Sequence, residues 1–207
     1  LEARLPNTLK AVREKIGRLK RYARITKVDE IARRYFILNA FDGAIASLGV
    51  IIGAYSSGVQ DPKLIIGLGL SLSLSMGISG FSGAYIAEKA ERARMLKEVE
   101  EALFTKIEGS ILARASSFAV FWVALVDGAS PAIATLIALT PFILVSLGLL
   151  AFTTAVAASV SLIIALLSAL GAYMGRVSKE NILMSSVRSA LIGGITAVLC
   201  MMVGGVS

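Results

Sequence analysis

Asn39-Ala-Phe-Asp42-Gly43-Ala-Ile-Ala-Ser47-Leu-Gly49-Val-Ile-Ile-Gly53-Ala-Tyr55 decides how the rest of the chain is read. No Lys or Arg occurs between Arg34 and Lys63, and about 20 apolar residues suffice to cross the hydrocarbon core of a bilayer. The stretch therefore reads as a membrane span with one carboxylate in its first third. A carboxylate in that setting is costly, and proteins seldom keep one there without a partner, an ion or a proton to handle. Asp42 is the first functional candidate. The plainer alternative is a structural bond to a neighbouring helix or to Ser47.

Composition supports the same reading. The 207-residue chain is 56% hydrophobic, and the excess is concentrated in long apolar runs, which points to one integral membrane domain. The formal charge of +7 would suggest nucleic acid in a soluble protein, but eleven of the 21 basic residues lie in the first 34 positions. That placement fits a cytoplasmic flank facing anionic lipid, and nucleic acid is not an expected partner. The chain has no His and one Cys, Cys200, which excludes His-ligated metal, a disulfide framework and a Cys-based metal cage. A cleavable signal peptide is not expected either, because the N-terminal stretch is basic and polar for too long.

An enzyme is not expected. No Gly-rich phosphate loop, Ser/His/Asp set or His-Glu-x-x-His motif is present. Asp42-Gly43-x-x-Ala46 resembles the opening of the CDP-alcohol phosphatidyltransferase motif. However, Ser47 stands where that motif needs Arg, and the next aspartate is Asp61.

Residues 1–34 read as basic amphipathic helices, cytoplasmic or interfacial, with Leu9, Val12, Ile16, Leu19 and Ile25 on one face. Thr26-Lys-Val-Asp29 has capping-box spacing and predicts a second helix starting there. Residues 35–207 read as the transmembrane domain, with spans over about 36–57, 63–87, 115–143, 147–175 and 185–205. Asp61 is a candidate N-cap and Pro62 suits the first helical position. In the second span Gly67, Ser71, Ser75, Ser79 and Gly83 recur every four positions, with Gly69, Ser73 and Gly77 alongside. Small residues in such rows let helix backbones approach closely in lipid, so this helix is expected at the bundle centre or at a dimer seam.

Past Glu88 the second helix is expected to continue out of the membrane, making 88–114 a cytoplasmic helical segment. Pro131 and Pro141 leave 111–175 divisible into two spans or three. The six basic residues of 88–114, set against Arg176, Lys179 and Arg188, favour two by the positive-inside rule. The expected fold is thus an all-α integral membrane protein of five transmembrane helices, with its N-terminus cytoplasmic.

Counted from the cytoplasmic ends of their spans, Asp42 and Met76 lie roughly 10 and 16 Å deep. A carboxylate oxygen and a thioether at comparable depth can share one divalent ion. Oxygen suits Mn²⁺ and Fe²⁺, and soft sulfur helps exclude Mg²⁺ and Ca²⁺. The plainer reading of Met76 is core filler. Asp127, roughly 18 Å along the third span, is either a second candidate for ion or proton handling or, if the span stops at Gly128, a wet turn residue. On the cytoplasmic extension Glu88, Glu91, Met95 and Glu98 fall within roughly 80° of arc, with Glu101 further round. Lys89, Arg92, Arg94 and Lys97 alternate with them, so an ordinary solvated face of ion pairs is the plainer reading.

These residues resemble the vacuolar iron transporter family of divalent-metal/proton antiporters. The family's first span runs close to Arg-x-x-Val-Leu-Gly-Ala-Asn-Asp-Gly-Leu-Val-Ser. Arg34, Leu38, Ala40, Asp42-Gly43 and Ser47 look like that motif, with Asn39 and Phe41 where the family has Gly and Asn. Ser75-Met76 and Gly83-Ala84-Tyr85 resemble its second span. Gly175-Arg176-Val-Ser178, Arg188-Ser189-Ala-Leu191 and Gly193 resemble its C-terminal Gly-Arg-Leu-Ser and small-residue last span.

The resemblance implies a five-span homodimer in contact with membrane lipid, an ion path between protomers, and Asp42 and Met76 as path ligands. Fe²⁺ or Mn²⁺ would be the transported ion, with no permanent cofactor. It also implies that Glu88, Glu91, Met95, Glu98 and Glu101 form a short version of the family's cytoplasmic metal-gathering helix. This chain departs from the family in two ways. The membrane Glu after Ser-Met is replaced by Gly80 or Ala84, depending on register, and the cytoplasmic insertion is much shorter than in plant and fungal members. Asp127 is a candidate substitute for the missing carboxylate.

The expected function is divalent-metal transport coupled to protons. The rival is a non-transporting dimeric scaffold or metal-sensing subunit that uses the 67–83 stripe for dimerisation. The compact loops suggest a prokaryotic cytoplasmic membrane.

Overall fold

The computed structural model describes residues 7–204, with side chains from residue 17 onward. The face expected of Leu9, Val12 and Ile16 therefore falls outside the described side chains. The elements are α1 (Asn7–Thr26), α2 (Val28–Ser56), α3 (Pro62–Leu103), α4 (Ile111–Ser146), α5 (Phe152–Ser178) and α6 (Ile182–Gly204). Five of them, α2 to α6, are long and apolar enough to cross a membrane. The chain is an all-α integral membrane protein, as its apolar runs predict.

The helix boundaries follow local chemistry. Lys27 adopts a left-handed φ of 49°, which ends α1. The Thr26 hydroxyl donates to the Tyr22 carbonyl at 2.8 Å. It therefore belongs to the last turn of α1 and does not cap α2, contrary to the capping-box spacing. As the final residue of a helix, Thr26 finds a nearer acceptor one turn back. The expected second interfacial helix is simply the start of α2, whose first turn carries Asp29 and Glu30 where the helix dipole favours negative charge.

Asp61 does cap: its carboxylate accepts from the Lys63 backbone N–H at 2.9 Å, and Pro62 opens α3. Asp61→Ala should cost about 1 kcal/mol. In a detergent thermal melt that is a fall in Tm of about 2–4 °C.

The 42 residues of α3 make a rod of about 63 Å, twice a bilayer's hydrocarbon core, but the helix expected over 88–114 stops at Leu103, and 104–110 are a non-helical connection to α4. It ends before Phe104, at φ 51°. The fourth helix runs unbroken past both Pro131 and Pro141, and a turn at Gly148, φ 74°, separates it from α5. The 111–175 region is thus two spans.

The chain divides into two compact units, Leu1–Tyr35 with Phe81–Val126, and Phe36–Gly80 with Asp127–Ser207. The first has a small core of Val28, Ala32, Ala119 and Val123, flanked by aromatic contacts of Phe118 with Tyr22 and with Trp122. The second holds the larger core, in which Leu48, Ile51 and Ile52 of α2 meet Leu139 and Phe142 of α4 and Ile163 and Leu167 of α5.

Within the second unit, α2 and α4 run parallel in a constant register. Asn39 meets Asp127, Gly43 meets Pro131 and Ser47 meets Thr135, each pair 88 residues apart. The third helix runs antiparallel to α4, with Gly69 against Leu139, Gly77 against Gly128 and Gly80 against Asp127. Gly171 and Gly175 of α5 admit Ser189 and Ser185 of α6. Small residues make each of these close approaches possible.

The two rows of small residues on α3 divide by exposure. Gly69 and Ser73 face the chain's own interior, whereas Gly67, Ser71, Ser75, Ser79 and Gly83 are all exposed. The last helix likewise leaves Leu191, Ile195, Val198 and Met202 57–65% exposed, as a lipid-facing surface does.

Candidate functional site

The site is built around Val126-Asp127-Gly128-Ala129-Ser130-Pro131 in the middle of α4. Proline has no N–H, so Pro131 cannot close the helical hydrogen bond to the Asp127 carbonyl, and its ring crowds that carbonyl. The helix nevertheless continues, with one backbone hydrogen bond fewer at the residue that carries the buried carboxyl.

Three glycines let two neighbouring helices close on this point. A Cβ at Gly43 would lie 2.6 Å from Pro131 Cα, so only glycine brings α2 this near. On α3, a Cβ at Gly77 would lie 3.1 Å from the Gly128 carbonyl oxygen, and one at Gly80 would lie 3.1 Å from Asp127 Oδ2.

Asp127 is only 4% exposed. Asn39 Nδ2 donates to its Oδ1. Asp42, three residues or about one helical turn further along α2 than Asn39, is exposed. Among the described residues no Lys or Arg forms an ion pair with either carboxylate. Two like charges near one another without a cation are mutually unfavourable, and a low-dielectric surround sharpens this.

Ser47, the plainer partner for Asp42, is engaged elsewhere. Its hydroxyl donates to the Gly43 carbonyl at 2.7 Å and lies 3.0 Å from the Thr135 hydroxyl.

The register revises the depth of Asp127. It lies level with Asn39, five residues past Arg34, or about 7.5 Å beyond the last arginine of α2. The wet-turn alternative does not hold, since α4 runs unbroken through Asp127 and the residue is buried. The 18 Å estimate counted from residue 115, but the first turns of α4 pack with Val28 and Ala32 at the start of α2, ahead of Arg34.

Met76 is half-buried. Four residues before Gly80, it projects within about 40° of that residue's direction, so it lies beside the face of α3 that meets Asp127. The structure thus joins Asp127 directly to Asn39, sets Asp42 nearby, and leaves Met76 at the margin.

The acidic stripe of α3 does not gather into one cluster. Glu88 is buried with Arg92, Nε to Oε2 3.4 Å. Glu91 pairs with Arg94 at 2.7 Å, Glu98 approaches Arg94 at 3.9 Å, and Glu101 approaches Lys97 at 3.9 Å. Met95 is half exposed. Exposed pairs of this kind are worth only a few tenths of a kcal/mol, so they hold the face loosely. Among the described residues no three His, Cys, Asp or Glu side chains come together to hold a metal. What gathers at Asp127 is instead its own carboxylate, the Asn39 amide, and the backbone carbonyls of Asp127 and Gly128 that face Gly80 and Gly77.

Sequence reasoning missed Asn39, Gly80 and Thr135 as parts of this site. Two signals pointed there. Asn39 is the one amide between Arg34 and Tyr55, and Asp-Gly-Ala occurs twice, at 42–44 and 127–129.

No family model matches the chain. Over 203 residues the chain is 30% identical to the uncharacterized protein MJ0645 of Methanocaldococcus jannaschii, a match that covers 97% of each.

Proposed function

The chain belongs to one family with the archaeal protein MJ0645, and we propose that it is a divalent-metal transporter with Fe²⁺ or Mn²⁺ as cargo. The observation that carries this reading is the buried Asp127, held by Asn39 one helical turn from Asp42, with no described Lys or Arg paired to either carboxylate. A passing divalent cation relieves the repulsion between them, and carboxylate, amide and carbonyl oxygens suit these ions. Met76 adds a soft donor at the margin of the path.

Gly80 strengthens the reading. It occupies one of the two positions where the transporter family that this sequence resembles has a membrane Glu, and the Asp127 carboxylate lies where a side chain from position 80 would point. Asp127 thereby supplies from α4 the charge that α3 lacks, and it is the group on which proton coupling would rest. The exposed Gly67–Ser71–Ser75–Ser79–Gly83 row supports a homodimer, and Glu88, Glu91, Met95, Glu98 and Glu101 would collect metal at the cytoplasmic side of a prokaryotic membrane.

The exposed row alone would serve a non-transporting scaffold or metal-sensing subunit equally well. Flux separates the two. Proteoliposomes bearing the wild type should accumulate Mn²⁺ or Fe²⁺ several-fold faster than those bearing Asp42→Ala. Equal flux, or none from the wild type, would favour the scaffold.

A further inference from the structure

A second feature, in the Leu1–Tyr35 and Phe81–Val126 unit, has no role in moving metal. A cavity of about 510 Å³ opens between α1, the first turn of α2 and the early part of α4. That size lies within the roughly 300–1,000 Å³ of small-molecule sites.

Its chemistry is divided by rows. Leu19 and Ala23 form one row along α1, and Lys20 and Arg24, also four apart, form the next. Asp29 lies on the α2 side, and Phe118 and Trp122, stacked with centroids 6.2 Å apart, form the α4 wall. Neither Lys20 nor Arg24 forms an ion pair with Asp29 or with any other described carboxylate. Two uncompensated cations thus sit over an apolar, aromatic-walled hollow in the helix that precedes the first membrane span.

We infer that this cavity binds the headgroup and upper chains of an anionic phospholipid. The phosphate lies between Lys20 and Arg24, where basic groups next to a membrane favour anionic lipid. The upper chains lie along Leu19, Ala23 and Trp122, Trp being a residue that suits the boundary between water and hydrocarbon. A free inorganic anion would leave the apolar wall unused. Asp29 can accept from a headgroup hydroxyl, which makes phosphatidylglycerol the appropriate probe. Lipid held here fixes α1 to the membrane by a defined site, beyond the diffuse attraction of a basic helix.

Trp122 is the single tryptophan of the chain and lines this cavity, so its fluorescence reports lipid at this wall, and the difference between two lipids reports the site. Purified protein in detergent would be titrated with phosphatidylglycerol or phosphatidylcholine brominated on the upper chain, since bromine quenches indole on contact. Quenching by phosphatidylglycerol should saturate and reach half-maximum at about ten-fold lower lipid than phosphatidylcholine, two basic contacts accounting for that preference. Lys20→Gln with Arg24→Gln should bring the two lipids within about two-fold. Lys97→Gln with Lys106→Gln, an equal charge change elsewhere, should leave the preference intact. If the double variant at the cavity loses its helical circular dichroism, Arg24→Gln alone carries the test with a smaller shift.

Equal quenching by both lipids in the wild type overturns the inference. So does an equal loss of preference in the Lys97/Lys106 control, which would mark a diffuse charge effect. Relief of quenching by millimolar glycerol phosphate would assign the site to a soluble anion. None of these outcomes bears on metal flux.

Discussion

Asp127→Asn is expected to slow Mn²⁺ and Fe²⁺ uptake by proteoliposomes at least ten-fold while leaving the protein folded. Asparagine keeps the shape of the side chain, and its amide oxygen can still accept from Asn39 Nδ2. What disappears is one negative charge at a site that is 4% exposed. There a charge interacts with a cation far more strongly than in water, where a contact pair gains only about 1 kcal/mol, and a ten-fold rate loss corresponds to only about 1.4 kcal/mol of barrier. Uptake should be followed as a time course of metal-sensitive dye quenching, with elution volume and helical signal compared in parallel. Unchanged uptake in a well-folded variant would remove Asp127 from the path.

The largest loss of stability should come from Gly43→Ala. The added methyl would fall 2.6 Å from Pro131 Cα and 2.8 Å from its carbonyl oxygen. Both are backbone atoms, so no side-chain rotation relieves the clash, and α2 must part from α4. Overpacking of this kind costs about 1–3 kcal/mol and at times more, equivalent to a Tm lower by roughly 2–12 °C for a chain of this size. Gly53→Ala is the matched control, since nothing lies within 4 Å of a Cβ there and alanine is the better helix former. A detergent melt in which Gly43→Ala fell no further than Gly53→Ala would show that the Gly43–Pro131 approach does not set the stability.

How far the sequence could be read depends on the kind of signal. The five spans were legible because apolar length is a property of single segments, and the division of 111–175 followed from charge counts on either side. Asp61 and Pro62 were legible because a cap is local chemistry. The register between helices was not, since it depends on which surfaces meet. The start of α4 packs with Val28 and Ala32, and an apolar stretch of that kind looks the same in a hydropathy profile as contact with lipid. Thr26 misled for a related reason. The four-residue capping spacing is present, but a left-handed Lys27 gives the hydroxyl to the preceding helix. The two small-residue rows of α3 were visible as patterns, yet only the fold decides which turns inward.

The constant offset of 88 residues between α2 and α4 also restricts how the molecule can move. An amide–carboxylate bond, a glycine–proline contact and a hydroxyl pair are stacked on three successive turns, so sliding one helix by a single position would break all three together. These two helices therefore travel as one body. The third helix meets that body at Gly77 and Gly80 through bare backbone and sets no side chain of those positions against Asp127.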